Sequence, residues 1–174
     1  MHKINILSVV CSHLDTLKGK NGGFFWDGVV FYFAPLAVGA FTAYMRWEVP
    51  EKALELSISV FSIFAALLLS VQVAMYSVSL RDLSPPEDVK KIKHFEDLKA
   101  VRNNLIKELN SNISYLILLS VVTVTSTLLL FFLKSPRIYG SSVAIFLYLH
   151  FFLTLLMVIK RSSIVFSREY ESRV

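Results

Sequence analysis

The chain has 174 residues, of which 55% are hydrophobic and 18% charged, with 14 Phe and one cysteine. That length fits a single domain, and so much apolar surface excludes disorder and exceeds what a soluble globule hides. Cys11 alone excludes a disulfide framework or a thiolate metal cluster within one chain, and the formal net charge of +5 has to be explained by a basic partner surface or by topology.

In chain order, residues 1–20 come first. Lys3 precedes the apolar run Ile4 to Val10, but Ser12, His13 and Asp15 interrupt it and no small-residue cleavage site follows, which argues against a signal peptide. Ile4, Leu7, Val10, Leu14 and Leu17 recur at helical spacing. They predict a short amphipathic helix that either lies on the inner membrane surface or packs against a bundle, ended by Asn21-Gly22-Gly23.

Four later runs are long and apolar enough to cross a bilayer, which takes about 20 helical residues. The first is 24–46, with Trp26 and Trp47 near its ends, where indoles favour the two interfaces. The second, 53–80, starts after Pro50 and stops before Arg81-Asp82; the third, 113–133, is closed by Lys134-Ser135-Pro136; the fourth, 141–159, ends at Lys160-Arg161. The fold class expected is therefore an all-α integral membrane protein with four transmembrane helices.

Between the second and third spans, Ser84-Pro85-Pro86-Glu87 reads as a helix start with a capping box. From Glu87 to Ser135 there is neither Gly nor Pro, so the stalk 84–112 is expected to run into the third span, with Asn103-Asn104 and Asn110-Ser111-Asn112 as its weakest points. Ile92, Phe95, Leu98, Leu105, Ile106, Leu109 and Ile113 share one broad face that needs a partner. The candidates are the tail 160–174, with Ile164, Val165 and Phe166, a neighbouring subunit, or a cytoplasmic effector protein.

Lys and Arg set the orientation, because positive loops stay in the cytoplasm. Fourteen fall before the first span, between the second and third spans or in the tail, against only Arg46, Lys52, Lys134 and Arg137 on the other side. Both termini and the stalk are expected in the cytoplasm, and topology accounts for the positive charge without nucleic-acid binding. Lys90, Lys91 and Lys93 are placed to touch lipid headgroups.

Polar groups at membrane depth mark packing or a pathway. The first span carries Asp27 near its inner end, and Gly28, Tyr32, Pro35, Gly39 and Ala43 on one face, where small residues admit a close neighbour and Pro35 frees a carbonyl. The second aligns Glu55, Ser59, Ser62, Ala66, Ser70 and Ser77, with Gln72 on the flank; the third aligns Ser120, Thr123 and Thr127; the fourth holds His150, then Thr154 and Arg161. One reading is a polar path through the bundle or through an oligomer axis, gated near His150. The other is that the hydroxyls bond their own helices and His150 is neutral with an interhelical partner. Asp27 and Glu55 lie near span ends, within reach of water.

Phosphate loops, metalloprotease helices, nucleophile elbows and cysteine pairs are all missing, and His13 beside Cys11 lacks a third orienting group. His94 with Glu96 and Asp97 has the spacing of a solvated helix face. No enzyme activity, metal or cofactor is expected, and a transporter is disfavoured by the lack of an inverted repeat.

The amphipathic N-terminus, four spans, short outer loops and long inner helix, with Cys11-Ser12-His13-Leu14-Asp15-Thr16-Leu17 and Trp26-Asp27 leading into the first span, resemble the membrane subunits of bacterial anti-phage defence operons. Among these the chain looks like the membrane component of the Kiwa system. The resemblance implies a homo-oligomeric sensor or anchor in the bacterial inner membrane. Such a subunit detects phage-induced envelope disturbance and controls a cytoplasmic DNA-binding partner through the stalk, and no family site residue carries over. The competing expectation is a pore-forming effector that depolarises the cell.

Overall fold

The computed structural model describes residues 6–17, 28–80, 92–132 and 137–171, with the side chains of 93, 94, 98, 165, 166 and 168–171 left out of the description. Trp26, Asp27, the 84–87 cap and Lys90 and Lys91 lie outside these residues, as do the side chains of Lys93, His94, Leu98, Val165 and Phe166. Apart from the connection at 45–50 and residue 80, the described residues are helical, and they contain no strand: α1 (Ile6–Leu17), a π-helical turn (Val29–Phe33) running into α2 (Ala34–Tyr44), α3 (Glu51–Ser79), α4 (Ile92–Phe132) and α5 (Arg137–Glu171). Three stretches are long and apolar enough to cross a membrane: Glu51–Ser79, Phe95–Phe132 and Arg137–Ile164. Val29–Tyr44 is apolar but shorter.

Helix ends follow local chemistry. Pro50 precedes α3 in an extended conformation and Glu51 sits in its first turn, where a carboxylate favours the positive end of the dipole. At the end of α2 the Trp47 amide donates to the Thr42 carbonyl (3.1 Å) and the Arg46 amide to Ala43 (3.1 Å), a Schellman closure. It requires a left-handed residue, and Arg46 supplies it with φ 53°. Nothing comparable interrupts α4, which runs unbroken for 41 residues, roughly 60 Å at the α-helical rise. Asparagines 103, 104, 110 and 112 are all carried within it. The tail expected after residue 159 is likewise a continuation of α5 to Glu171.

α2 packs on α5, α5 on α4, and α4 on α3, so the consecutive helices α2 and α3 stand at opposite ends of a row; α1 packs on α4. The row curves enough for α3 to reach α5 through its rings, with Phe61 edge-on to Phe151 (4.9 Å between centroids) and stacked on Tyr148 (5.2 Å). Phe61, Leu68 and Met75 of α3 meet Ile106, Leu109, Ile113, Leu116 and Leu119 of α4 and Leu147, Phe151 and Val158 of α5 in one core. The seven-residue step on α3 is the seam of nearly parallel helices. One end of the row is tied by Arg137 to Glu51 (3.0 Å) and by the Val49 amide donating to Ser141 Oγ (2.8 Å). At the other end Arg102 Nη2 donates to the Val78 carbonyl near the end of α3 (2.8 Å).

Two expectations change here. The expected α1 stripe divides: Leu17 is buried and Val10 joins the core, but His13 and Val9 from outside the stripe pack inwards with them while Leu7 is 74% exposed. And the apolar stalk face is largely consumed within the chain. Ile106 and Leu109 are buried and Leu105 packs against the core, which leaves Ile92, 38% exposed, and half-buried Phe95. The lower part of α4 has α1, α3 and α5 as neighbours, so packing within the chain, one of the candidates for covering this face, takes its buried Leu and Ile side chains and narrows what is left for a partner.

Candidate functional site

The α3 polar stripe does not line the interior of the helix row, one of the readings it allowed. Glu55, Ser59, Ser62, Ala66 and Ser70 of α3 are exposed, lying roughly 140° around the helix from Phe61 at 3.6 residues per turn. Large apolar side chains take the interior because they fill more of it, and the serines turn outwards at little cost because their hydroxyls bond their own helix: Ser62 to the Ile58 carbonyl (2.7 Å) and Ser70 to Ala66 (3.2 Å). On α4, Ser120, Thr123 and Thr127 are buried but donate to Leu116, Leu119 and Thr123 carbonyls at 2.8–2.9 Å, so they too are self-satisfied. Gln72 does bridge helices, donating from Nε2 to Ser114 Oγ (2.9 Å) and Asn110 Oδ1 (3.2 Å).

Around His150 the polar groups do converge, and the geometry starts from Pro35. A proline has no N–H to give the carbonyl four residues back, and its ring crowds that carbonyl. The chain answers with the π-turn, closed by the Ala34 amide on the Val29 carbonyl, and the Phe31 oxygen is freed. His150 Nδ1 donates to it at 2.7 Å. With Nδ1 holding the proton, Nε2 is an acceptor, and the Tyr115 hydroxyl donates to it at 2.7 Å. Both ring nitrogens of a neutral imidazole are therefore used, across three segments, in a residue only 2% exposed. Tyr32 lies against the same ring (4.6 Å), and its buried hydroxyl has no hydrogen-bond partner. Gly39 lets α2 come this close: a Cβ there would stand 3.0 Å from the Ser142 carbonyl oxygen.

Tyr115 carries the connection to α1. It also carries His13, stacked on it with centroids 3.9 Å apart and ring planes 2° from parallel. His13 is fully buried, and its Nδ1 bonds Asn112 Oδ1 (2.7 Å), which also accepts from Thr16 Oγ1 (2.8 Å). The Thr16 hydroxyl is equally close to the His13 carbonyl (2.7 Å). Arg161 then clamps the end of α1, with Nη2 on the Thr16 carbonyl (2.9 Å) and Nη1 on Glu108 (3.2 Å), a cation placed where a helix C-terminus favours one. Burial holds His13 well below its ordinary value of 6.5, at about 4; the Asn112 bond opposes this, and His150 and Arg161 add to it. His13 Nε2 and Asn112 Nδ2 have no partner although both are buried.

A continuous series of contacts, hydrogen-bonded except at the His13–Tyr115 ring stack, thus runs from Glu108 and Arg161 through Thr16, Asn112, His13 and Tyr115 to His150 and the π-turn. Beside it, α1 and α4 enclose a cleft of about 480 Å³ that includes Ser12, Asp15, Thr16, Asn104, Lys107 and Glu108. Among the described residues no three His, Cys, Asp or Glu side chains converge as metal ligands. What the arrangement does is mechanical and electrostatic: it makes the seating of α1 depend on groups deep in the helix row. His150, Pro35 and Gly39 belong to this assembly, Glu55 and the serine stripe do not. The sequence reading missed His13, Asn112 and Tyr115. The available signal was that His13 falls between Val9, Val10 and Leu17 at helical spacing, as a core position does. Comparison with protein-family models, curated proteins and solved structures finds no match to the chain.

Proposed function

We propose that the chain is a four-span inner-membrane protein with cytoplasmic termini, acting as a homo-oligomeric sensor or anchor that controls a cytoplasmic effector, in the manner of the anti-phage subunits it resembles. The observation that carries this reading is the series of contacts linking α1 to His150: it couples a helix outside the spans to the interior of the row. The membrane assignment is supported by the three long apolar helices, by Val29–Tyr44 as the core of a fourth span, and by Tyr44, Trp47 and Tyr139, all well exposed at the Glu51–Arg137 end where an aromatic belt belongs. The effector surface is narrower than the whole stalk and centres on Ile92 and Phe95. A photo-crosslinking residue at Phe95 in cells is expected to capture one cytoplasmic protein in a manner abolished by His13→Ala; no capture in the intact chain, with insertion verified, refutes the recruitment.

The exposed stripe Glu55, Ser59, Ser62, Ala66 and Ser70 favours a second reading, in which these residues of several copies line a pore. A membrane-potential dye decides it: an unchanged potential in a verified oligomer rules the pore out.

A further inference from the structure

α1 has three faces. Taking His13 as the centre of the face packed on α4, the helical period puts Thr16, Ser12, Ser8 and Asp15 along one side and Val10, Leu14, Leu7 and Cys11 along the other. Ser12, Asp15 and Thr16 border the polar cleft beside α4. On the opposite side Val10 packs on the core and Leu14 is half-buried, but Leu7 is 74% exposed and Cys11 is exposed, an apolar strip that the other described residues leave open. The height of α1 is set by its bonds: Arg161 and Glu108, charged groups that belong at the water boundary, hold its C-terminal turn, while His13 stacks on Tyr115, about two turns farther along α4. A helix at that level with water on one flank and an apolar strip on the other matches the lipid–water interface.

We infer that the occupant of the Leu7–Cys11–Leu14 strip is the inner leaflet of the bilayer. α1 is then wedged between lipid and the His13 site, so that lipid displaced from this flank acts on the seating of His13 against Tyr115. The inference rests on the chain spanning a membrane, as proposed above, and adds to it the surface through which the bilayer is read.

Cys11 is the sole cysteine and lies on the strip. Labelled with an environment-sensitive fluorophore in the full chain, reconstituted in phosphatidylethanolamine–phosphatidylglycerol vesicles, it is expected to be quenched severalfold more by doxyl-lipid than by iodide present on both sides. Leu7→Gln, which alters only an exposed side chain, is expected to shift that balance towards iodide. A second label at Leu69→Cys in a Cys11→Ser background, on the exposed face of α3, reports on the membrane reading itself. If Leu69→Cys is quenched by doxyl-lipid while Cys11 is open to iodide, the spans stand and the inference falls. If Cys11 is shielded from both quenchers, a protein surface such as a second copy covers the strip and the inference falls equally. If neither position meets lipid, the membrane reading has failed and takes the inference with it.

Discussion

Asn112→Ala removes the acceptor on which α1 is hung. Its effect follows from the bonds: the Thr16 hydroxyl keeps the His13 carbonyl at 2.7 Å and loses little, but His13 Nδ1 is left inside the protein without a partner. Losing the bond costs about 1 kcal/mol net and stranding a buried donor about 1–3 kcal/mol more, so α1 docking weakens by about 2–4 kcal/mol, roughly 30- to 1000-fold in its undocked fraction. A free 12-residue helix is marginal in water, so undocking melts α1 and exposes its amides. Hydrogen exchange followed by mass spectrometry on peptides covering 6–17 therefore reads the docking equilibrium directly. Protection is expected to collapse there and to persist in Glu51–Ser79, while Ser120→Ala, whose hydroxyl serves only its own helix, changes neither. An Asn112→Ala protein with α1 protected as before, or one losing protection evenly across all helices, refutes the idea that this amide latches α1.

The same readout has a pH dependence. Because His13 is held at about 4 in the folded chain against 6.5 when free, its contribution is complete above pH 6.5 and is lost as pH falls towards 4; exchange in α1, corrected for intrinsic rates, should rise across that window, and His13→Phe should flatten it. Gly39→Ala forces a Cβ to 3.0 Å from the Ser142 carbonyl oxygen and 3.3 Å from Phe146 Cβ, so α2 and α5 must separate at a cost of about 1–3 kcal/mol, seen as a lower thermal midpoint of the solubilised protein. His150→Leu strands the Phe31 carbonyl and the Tyr115 hydroxyl together; the expected loss is about 2–4 kcal/mol, and an unchanged midpoint would show that neither bond matters. Arg46→Gly removes a side chain from a left-handed position and is expected to stabilise by about 1 kcal/mol in the same assay.

The long helices were readable because length, apolar content and the absence of Gly and Pro between Glu87 and Ser135 are properties of the chain itself. Pro35, Gly39 and His150 were readable for a related reason: each breaks a local rule, and a broken rule near the middle of an apolar run needs a compensation. The orientation of α3 was not readable. In water, periodicity separates a wet face from a dry one, but on α3 both faces are apolar, Phe61, Leu68 and Met75 on one side and Leu56, Ile63 and Leu67 among the serines on the other. The contrast that normally tells inside from outside is missing, and side-chain volume decides instead. His13 and Asn112 were hidden by distance, since the value of each depends on a partner 99 residues away. The run of α4 through Asn112 followed from the lack of Gly and Pro there, whereas the fourth span's helix passed its expected end because Lys160 does not forbid the next turn.

Arg161 reaches a carbonyl made 145 residues earlier. At ordinary ribosomal speeds of about 5–20 residues per second, roughly 7–30 s separate the synthesis of Thr16 from that of the side chain that clamps it. During that interval α1 has nowhere to settle, since Asn112 and Tyr115 also emerge late. Seating of the first helix is thus the closing event of biogenesis, and a chain cut short before residue 161 carries its leading segment loose, a mark by which quality-control proteases can tell unfinished copies from finished ones.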